Sequence, residues 1–213
     1  YLDDNQLTGE IPEEIGNLIN LQLLDLSGNQ LTGEIPLTII NLTILEGLFL
    51  SSNQLSGEIH SEIGNMINLT ELELGGNQLL GEIPEEIGNL INLIELNLSG
   101  NPLTGSIPLE IGNLTNLTSL SLSSNHLTGE IPPEIGNLTN LSTLNLNNNQ
   151  LTGEIPEEIC NQGDNSPNVG FNQLCPPFPE CISQSDIDSQ DTSNCAEQPL
   201  CDEELEVELW GVC

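Results

Sequence analysis

Lysine and arginine are missing from all 213 residues, against 33 Asp and Glu, which sets the formal charge at −33. A chain of this size with ordinary composition would hold roughly 20 basic residues. Their absence excludes a nucleic-acid binder, because nothing here can neutralise phosphates. It equally excludes a polybasic membrane-surface protein. Aromatic residues make up only 2%, so the core must be aliphatic. No run approaches the ~18 apolar residues that span a bilayer, so no membrane insertion is expected. No basic, apolar leader opens the chain. It begins at Tyr1 rather than Met, and reads as a processed or excerpted piece.

What the chain has is a period. From Leu21 it falls into 24-residue lines: Leu21 to Ile44, Leu45 to Asn68, Leu69 to Asn92, Leu93 to Asn116 and Leu117 to Asn140, then a shorter Leu141 to Gly163. A partial line from Tyr1 to Asn20 precedes them, and a degenerate one from Asp164 to Cys181 follows. Such a period signals a solenoid. Leu-x-Leu alternation, as at Leu72 and Leu74, has the spacing of a strand with one buried face. A second apolar set, such as Leu79, Ile83, Ile87 and Leu90, closes each coil from the other side. One coil cannot bury these residues alone, whereas stacked coils share a core. With strands ~4.8 Å apart, seven to eight coils make a rod roughly 35–40 Å long. A Gly column (Gly9, Gly33, Gly57 and onward to Gly153) marks turns, and a Pro column (Pro12, Pro36, Pro84, Pro108, Pro132, Pro156) removes donors where the coil bends.

The shared pattern, L-x-x-L-x-L-x-x-N-x-L-T-G-E-I-P-x-x-I-G-N-L-x-N, resembles the plant-type subclass of leucine-rich repeats, which L-T-G-x-I-P marks. The resemblance covers about the first 180 residues. It implies an α/β-type solenoid, a curved coil of about seven to eight turns. Strands would line the concave face and short 3-10 or irregular segments the convex one. The domain reading is repeats over 1–163, a degenerate repeat with a Cys cap over 164–182, and an acidic linker over 183–213.

A recurrent Asn (Asn5, Asn29, Asn53, Asn77, Asn101, Asn125, Asn149, continued by Asn172) reads as an amide ladder satisfying buried backbone groups rather than as catalytic. Variable positions of the open face run from Gln22, Asp25 and Ser27 to Ser142, Thr143 and Asn145. They are small, polar or acidic, with Phe49 the lone aromatic. Binding hot spots favour Trp, Tyr and Arg, so this face reads as a hydrated repeating wall. Glu10, Glu34, Glu58 and Glu82, then Glu130 and Glu154, form a column. Like charges ~5 Å apart repel by the order of 1 kcal/mol in water. Diffuse Ca²⁺ or Mg²⁺ association there is the one cofactor expectation; no defined metal site is indicated. A Thr column (Thr8, Thr32, Thr104, Thr128, Thr152), broken by Ser56 and Leu80, raises ice binding as a lesser reading. Asn41, Asn68, Asn97, Asn113, Asn116, Asn137 and Asn140 fit the N-x-S/T acceptor rule for glycosylation. No catalytic constellation appears, so the chain is not expected to be an enzyme.

All six Cys lie in the last part of the chain: Cys160, Cys175, Cys181, Cys195, Cys201 and Cys213. An even number confined to a solenoid end reads as a disulfide cap, and so as a secreted or cell-surface, oxidising location. The segment Leu174-Cys175-Pro176-Pro177-Phe178-Pro179-Glu180-Cys181 resembles the C-terminal caps of secreted leucine-rich repeat proteins such as polygalacturonase inhibitors. That likeness implies Cys175–Cys181 and then Cys160–Cys195, although six Cys allow 15 pairings. Trp210-Gly211-Val212-Cys213 resembles the end of the N-terminal cap that precedes plant-type repeats, one residue short of it.

Since Tyr1, Leu2 and Leu7 open directly inside a repeat, the first functional expectation is an extracellular structural or adhesive module. Copies of the chain would assemble head to tail or in tandem, with Tyr1, Leu2, Leu7, Trp210, Val212 and Cys213 as candidate contacts. The alternative is a recognition module whose concave face takes a protein, peptide or carbohydrate, a basic protein suiting the charge best.

Overall fold

The computed structural model describes residues 1–164 and 166–195. In chain order the strands are β1 (Thr8–Glu10), β2 (Leu23–Asp25), β3 (Gln30–Thr32), β4 (Gly47–Phe49), β5 (Glu71–Glu73), β6 (Glu95–Asn97), β7 (Ser119–Ser121), β8 (Thr143–Asn145), β9 (Thr152–Glu154) and β10 (Gln173–Cys175). Six of them form one parallel sheet, ordered β2-β4-β5-β6-β7-β8. Leu24 pairs with Leu48, Leu48 with Leu72, Leu72 with Leu96, Leu96 with Leu120 and Leu120 with Leu144. The register therefore repeats the sequence period, and the central leucine of every strand points into the core. Slipping by one residue would turn that leucine to solvent and bury its polar neighbours.

A second ladder runs along another side of the coil, where β1 pairs with β3 and β9 with β10. Isolated bridges Glu34–Ser56, Glu58–Leu80 and Glu82–Thr104 continue it between those ends. Opposite the main sheet, each coil carries a 3-10 helix, as at Glu85–Asn89 and Leu109–Asn113. The column Pro residues sit just before these helices with φ between −64° and −71°. Their ring fixes that angle beforehand. His60 adopts the same backbone conformation at φ −63°, at the cost of the entropy a ring would have removed.

The 3-10 helices approach through glycine. A Cβ built on Gly88 would stand 2.5 Å from the backbone oxygen of Glu110 in the next coil. Gly88→Ala is therefore expected to cost about 2 kcal/mol, within the range for overpacking, as read by urea denaturation. An unchanged midpoint would mean that adjacent coils separate freely. Ile40 occupies this column in the second coil, and there the helices Leu37–Asn41 and Ser61–Asn65 leave a narrow apolar fissure lined by Ile35, Ile39, Leu48 and Ile63.

The cysteine end corrects two expectations. Cys160 pairs with Cys181, and Cys175 with Cys195; the pairing Cys175–Cys181 with Cys160–Cys195 does not form. Cys160 falls in the same glycine column. Gly136, one repeat earlier, faces the backbone of Glu158, 22 residues on. The last coil is a residue shorter there, since β10 meets β9 at an offset of 21, and Cys181 stands 21 residues beyond Cys160. A side chain at this place thus points straight at Cys181. Cys175 ends β10 and turns toward the following segment, where Cys195 waits.

That segment, expected to be linker, is folded as far as residue 195. Helix α1 (Gln184–Asp188) is capped by Ser183, whose hydroxyl oxygen accepts from the Asp186 N–H. Ile187 packs on the core. Gln190 Nε2 donates to the Val169 carbonyl at 3.0 Å, and the Phe171 N–H donates to Ser189 Oγ at 2.9 Å. These groups supply the donors and acceptors that a further coil would have offered. Cys201 and Cys213 lie outside the described residues.

At the other end, Tyr1 is 86%, Leu2 53% and Leu7 37% exposed. Of the candidate assembly contacts, Trp210, Val212 and Cys213 lie outside the described residues.

Candidate functional site

From Asn29 onward the Asn column does what the sequence implied, whereas Asn5 is exposed and bonds only within its own coil. Asn29, Asn53, Asn77, Asn101, Asn125, Asn149 and Asn172 are buried. Each Oδ1 accepts a leucine N–H from the preceding coil, as Leu55 N to Asn77 Oδ1 at 3.0 Å. Each Nδ2 donates to carbonyls of its own and the preceding coil. The column is scaffold, and it frees the open sheet face for other work.

On that face the residues flanking each buried leucine remain accessible, save Gly47, which is buried. Glu71 pairs with Glu95 and Glu73 with Asn97 across β5 and β6, so three carboxylates gather on two strands. Glu73 is half-buried. Burial raises its pKa above the ordinary carboxylate value; the Asn97 hydrogen bond opposes this, Glu95 adds to it, Ser51 opposes weakly and Glu71 adds a little. Asn97 Nδ2 donates to Glu73 Oε2 at 2.8 Å. With its folded pKa raised, Glu73 favours the fold at low pH and loses that contribution as pH rises through the raised value. Glu73→Gln is expected to flatten the rise in melting temperature on acidification from neutral pH toward the ordinary carboxylate pKa. The effect should be a few tenths to about 1 kcal/mol, because the group is partly solvated. An unaltered pH profile would show that the neighbouring carboxylates relax without cost. Phe49 belongs to the same face, its ring lying against the backbone of Gly47: a Cβ there would be 2.6 Å from Phe49 Cε2.

Beside the sheet, at the residues that precede each strand, runs an open trough of about 780 Å³, lined by Gln22, Ile44, Glu46, Asn68, Thr70, Asn92, Ile94, Asn116 and Thr118. Its wall is a second Asn ladder that the sequence reading missed. Asn68, Asn92, Asn116 and Asn140 donate Nδ2 to the carbonyls of Thr43, Ile67, Ile91 and Thr115 at 2.7, 2.8, 2.9 and 2.8 Å. The signal was present as the closing Asn of the repeat, one coil after another.

The structure separates the glycosylation candidates. Asn41, Asn113 and Asn137 end 3-10 helices and are exposed. Asn68, Asn116 and Asn140 are exposed but hold the ladder just described. Asn97 has its Nδ2 on Glu73, while its Oδ1 accepts from the Ser99 N–H and hydroxyl.

The Glu column lies elsewhere, on the second ladder. Glu82 rests over Gly105, where a Cβ would meet its Cγ at 2.7 Å; φ there is +74°, so glycine is required twice over. Glu10, Glu34 and Glu58 lie the same way over Gly33, Gly57 and Gly81. Among the described residues no three His, Cys, Asp or Glu side chains converge as a metal site would need. In the Thr column, Thr104 and Thr128 donate their hydroxyls to the carbonyls of Gly81 and Gly105, and Leu80 breaks the row. Among the described residues no helix is long and apolar enough to cross a membrane.

Among curated protein sequences no match was found. Solved structures resemble the chain closely. The plant peptide hormone receptor RGFR1 in complex with RGF2 is 46% identical with a TM-score of 0.79, over 81% of this chain and 28% of that one. The Arabidopsis receptor kinase HAESA, in complex with the peptide hormone IDA and the co-receptor SERK1, is 44% identical with a TM-score of 0.80, over 82% and 29%. The chain thus spans less than a third of these receptors. A plant ice-binding protein is 31% identical with a TM-score of 0.64, over 84% of this chain and 73% of its own. A family described as a leucine-rich repeat region matches residues 1–101, and one described as two copies of leucine-rich repeats matches 91–128 and 115–157. With the coil register, the amide ladder and these matches in agreement, the chain belongs to the plant-type leucine-rich repeat proteins.

Proposed function

We propose that this chain is an extracellular or surface recognition module whose open sheet face holds an extended, positively charged protein segment. The observation that carries the reading is the carboxylate group Glu71, Glu73 and Glu95 on adjacent strands, in a chain with no Lys or Arg to neutralise it. A basic partner relieves that repulsion, and the surrounding field accelerates its approach. The receptor structures support the reading, because both are complexes with peptide hormones. They favour it over end-to-end assembly of copies of the chain. Two disulfides suit an oxidising compartment. Ice recognition is the lesser reading, since the Thr column is interrupted and its hydroxyls at Thr104 and Thr128 are turned to the backbone.

The test is capture from a library of extended peptides of graded charge. Peptides carrying Lys or Arg should be retained at low salt and released as ionic strength rises. The Glu71→Gln, Glu73→Gln, Glu95→Gln triple variant should lose them. Retention independent of peptide charge, or unchanged in the triple variant, would overturn the proposal.

A further inference from the structure

We infer that Phe49 sets the specificity of the open face, as the platform on which the bound segment lays an arginine side chain. The inference rests on the recognition reading and names the residue type that this face selects. No other described strand holds an aromatic residue. Phe49 also stays out of the aliphatic core, which its inward neighbours Leu48 and Leu50 fill. Its ring reaches back along β4 over the place where Gly47 has no side chain. A Cβ there would stand 2.6 Å from Phe49 Cε2, 3.3 Å from Cζ and 3.5 Å from Leu23 Cγ. Any other residue at 47 would lift the ring off the sheet. Glycine weakens a strand, and here it keeps a half-buried aromatic surface level with its neighbours.

Across the strands the ring is bracketed by carboxylates. Asp25 pairs with Phe49 on one side and Glu73 on the other, while Glu71 pairs with Gly47 at the ring tip. With strands ~4.8 Å apart, both flanks lie within reach of a group stacked on the ring. Each flank has one oxygen engaged. Asp25 Oδ1 accepts the Ser27 N–H and hydroxyl at 3.1 and 2.6 Å, and Glu73 Oε2 accepts Asn97 Nδ2 at 2.8 Å. Among the described residues Asp25 Oδ2 and Glu73 Oε1 receive no donor. The Ser27 and Ser51 hydroxyls commit their single hydrogens to these carboxylates, at 2.6 and 3.4 Å. Asn97, which keeps one Nδ2 hydrogen, lies a strand beyond Glu73. The ring's immediate surroundings thus offer acceptors and no spare donor.

These features discriminate between ligand groups. An aliphatic side chain would use the ring and leave the carboxylates desolvated without a partner. A sugar could stack, yet its hydroxyls bring no charge to offset carboxylates that no Lys or Arg of this chain neutralises. A lysine ammonium is a compact, strongly hydrated point charge that meets one carboxylate at a time. The arginine guanidinium is flat, weakly hydrated and carries N–H donors on both edges, so it stacks on the ring and turns a donor to each flank.

The test titrates the folded chain calorimetrically with capped heptapeptides that carry lysine at both ends and arginine, lysine or citrulline at the centre. Arginine and lysine bear the same charge, so diffuse attraction to a net charge of −33 does not separate them. The arginine peptide should bind about fivefold more tightly than the lysine peptide, the size of one stacked contact. Citrulline, flat but uncharged, should bind most weakly. Phe49→Leu leaves the net charge alone and should bring arginine down to the lysine level. Asp25→Asn keeps an acceptor for Ser27 and should weaken arginine about threefold. The Phe49 ring protons should shift in NMR spectra as the arginine peptide is added. Equal, salt-sensitive binding of arginine and lysine, or a preference that survives Phe49→Leu, overturns the inference and leaves the recognition reading standing. Citrulline bound as tightly as arginine, or no peptide bound at all, overturns both.

Discussion

Asn101→Leu is expected to destabilise the protein by about 4 kcal/mol, although the two side chains are similar in size. Asn101 is 4% exposed, so water cannot replace what its amide supplies. Oδ1 accepts the Leu79 N–H at 3.0 Å, and Nδ2 donates to the carbonyls of Leu74 and Leu98 at 3.1 Å each. Those carbonyls also receive Asn77 and Asn125 from the neighbouring rungs, so each keeps one partner when Asn101 is lost. The Leu79 N–H keeps none. One orphaned buried donor at roughly 1–3 kcal/mol and two lost hydrogen bonds at about 1 kcal/mol each give the estimate. Asn5 supplies the control within the same column. It is exposed and bonds only to the carbonyls of Leu2 and Asp3 in its own coil, so Asn5→Leu should cost under about 1 kcal/mol. Urea denaturation of the pair at one pH measures the contrast. Equal, small losses would show that water enters the ladder.

The same contrast explains what was legible in the amino-acid sequence. Positions such as Leu72, Asn77, Gly81 and Pro84 repeat coil after coil, and a physical demand repeated six times leaves a column that composition alone cannot produce. Strand register followed directly, because neighbouring leucines a repeat apart must share a core. The acidic group was half visible. Glu71, Glu73 and Glu95 stood in the variable columns, yet their mutual approach and the burial that raises Glu73 needed the register on the page. Phe49 could be placed on the open face but not laid against Gly47, which is a contact made once. The cap was hidden for the same reason. Gln190, Ser189 and Ile187 each serve a single place on the last coil, and polar, acidic residues with no period look like linker until their partners are known. The trough was not legible because Asn68 and Asn116 fit the N-x-S/T acceptor rule, and nothing in the sequence shows their amides turned to the preceding coil, although Asn68, Asn92 and Asn116 recur as regularly as the buried ladder.

Replacing Cys160 and Cys181 together by Ala is expected to cost about 3 kcal/mol, the loop-closure value for a span near 21 residues. The loss should be local. In a solenoid each coil contacts only its neighbours, so amide exchange should quicken over residues 141–195 and stay slow around β4, β5 and β6. The reason lies in the glycine column. Gly88, Gly112 and Gly136 let one 3-10 helix rest directly on the backbone of the next, and the last coil has no full repeat beyond it to rest upon. Cys160 takes the glycine's place and closes the short span to Cys181 covalently, where packing between regular coils would otherwise hold. Ile40 shows the other outcome at the same position: a side chain without a bond to make leaves a fissure. The double variant therefore separates two sources of order at the solenoid end. Retained slow exchange over 141–195 would mean that α1 and its contacts through Ser189 and Gln190 hold the last coil unaided. Fast exchange confined there would assign that task to the bridge, and the matching Cys175–Cys195 pair, tested the same way, should loosen only the segment from Ser183 onward.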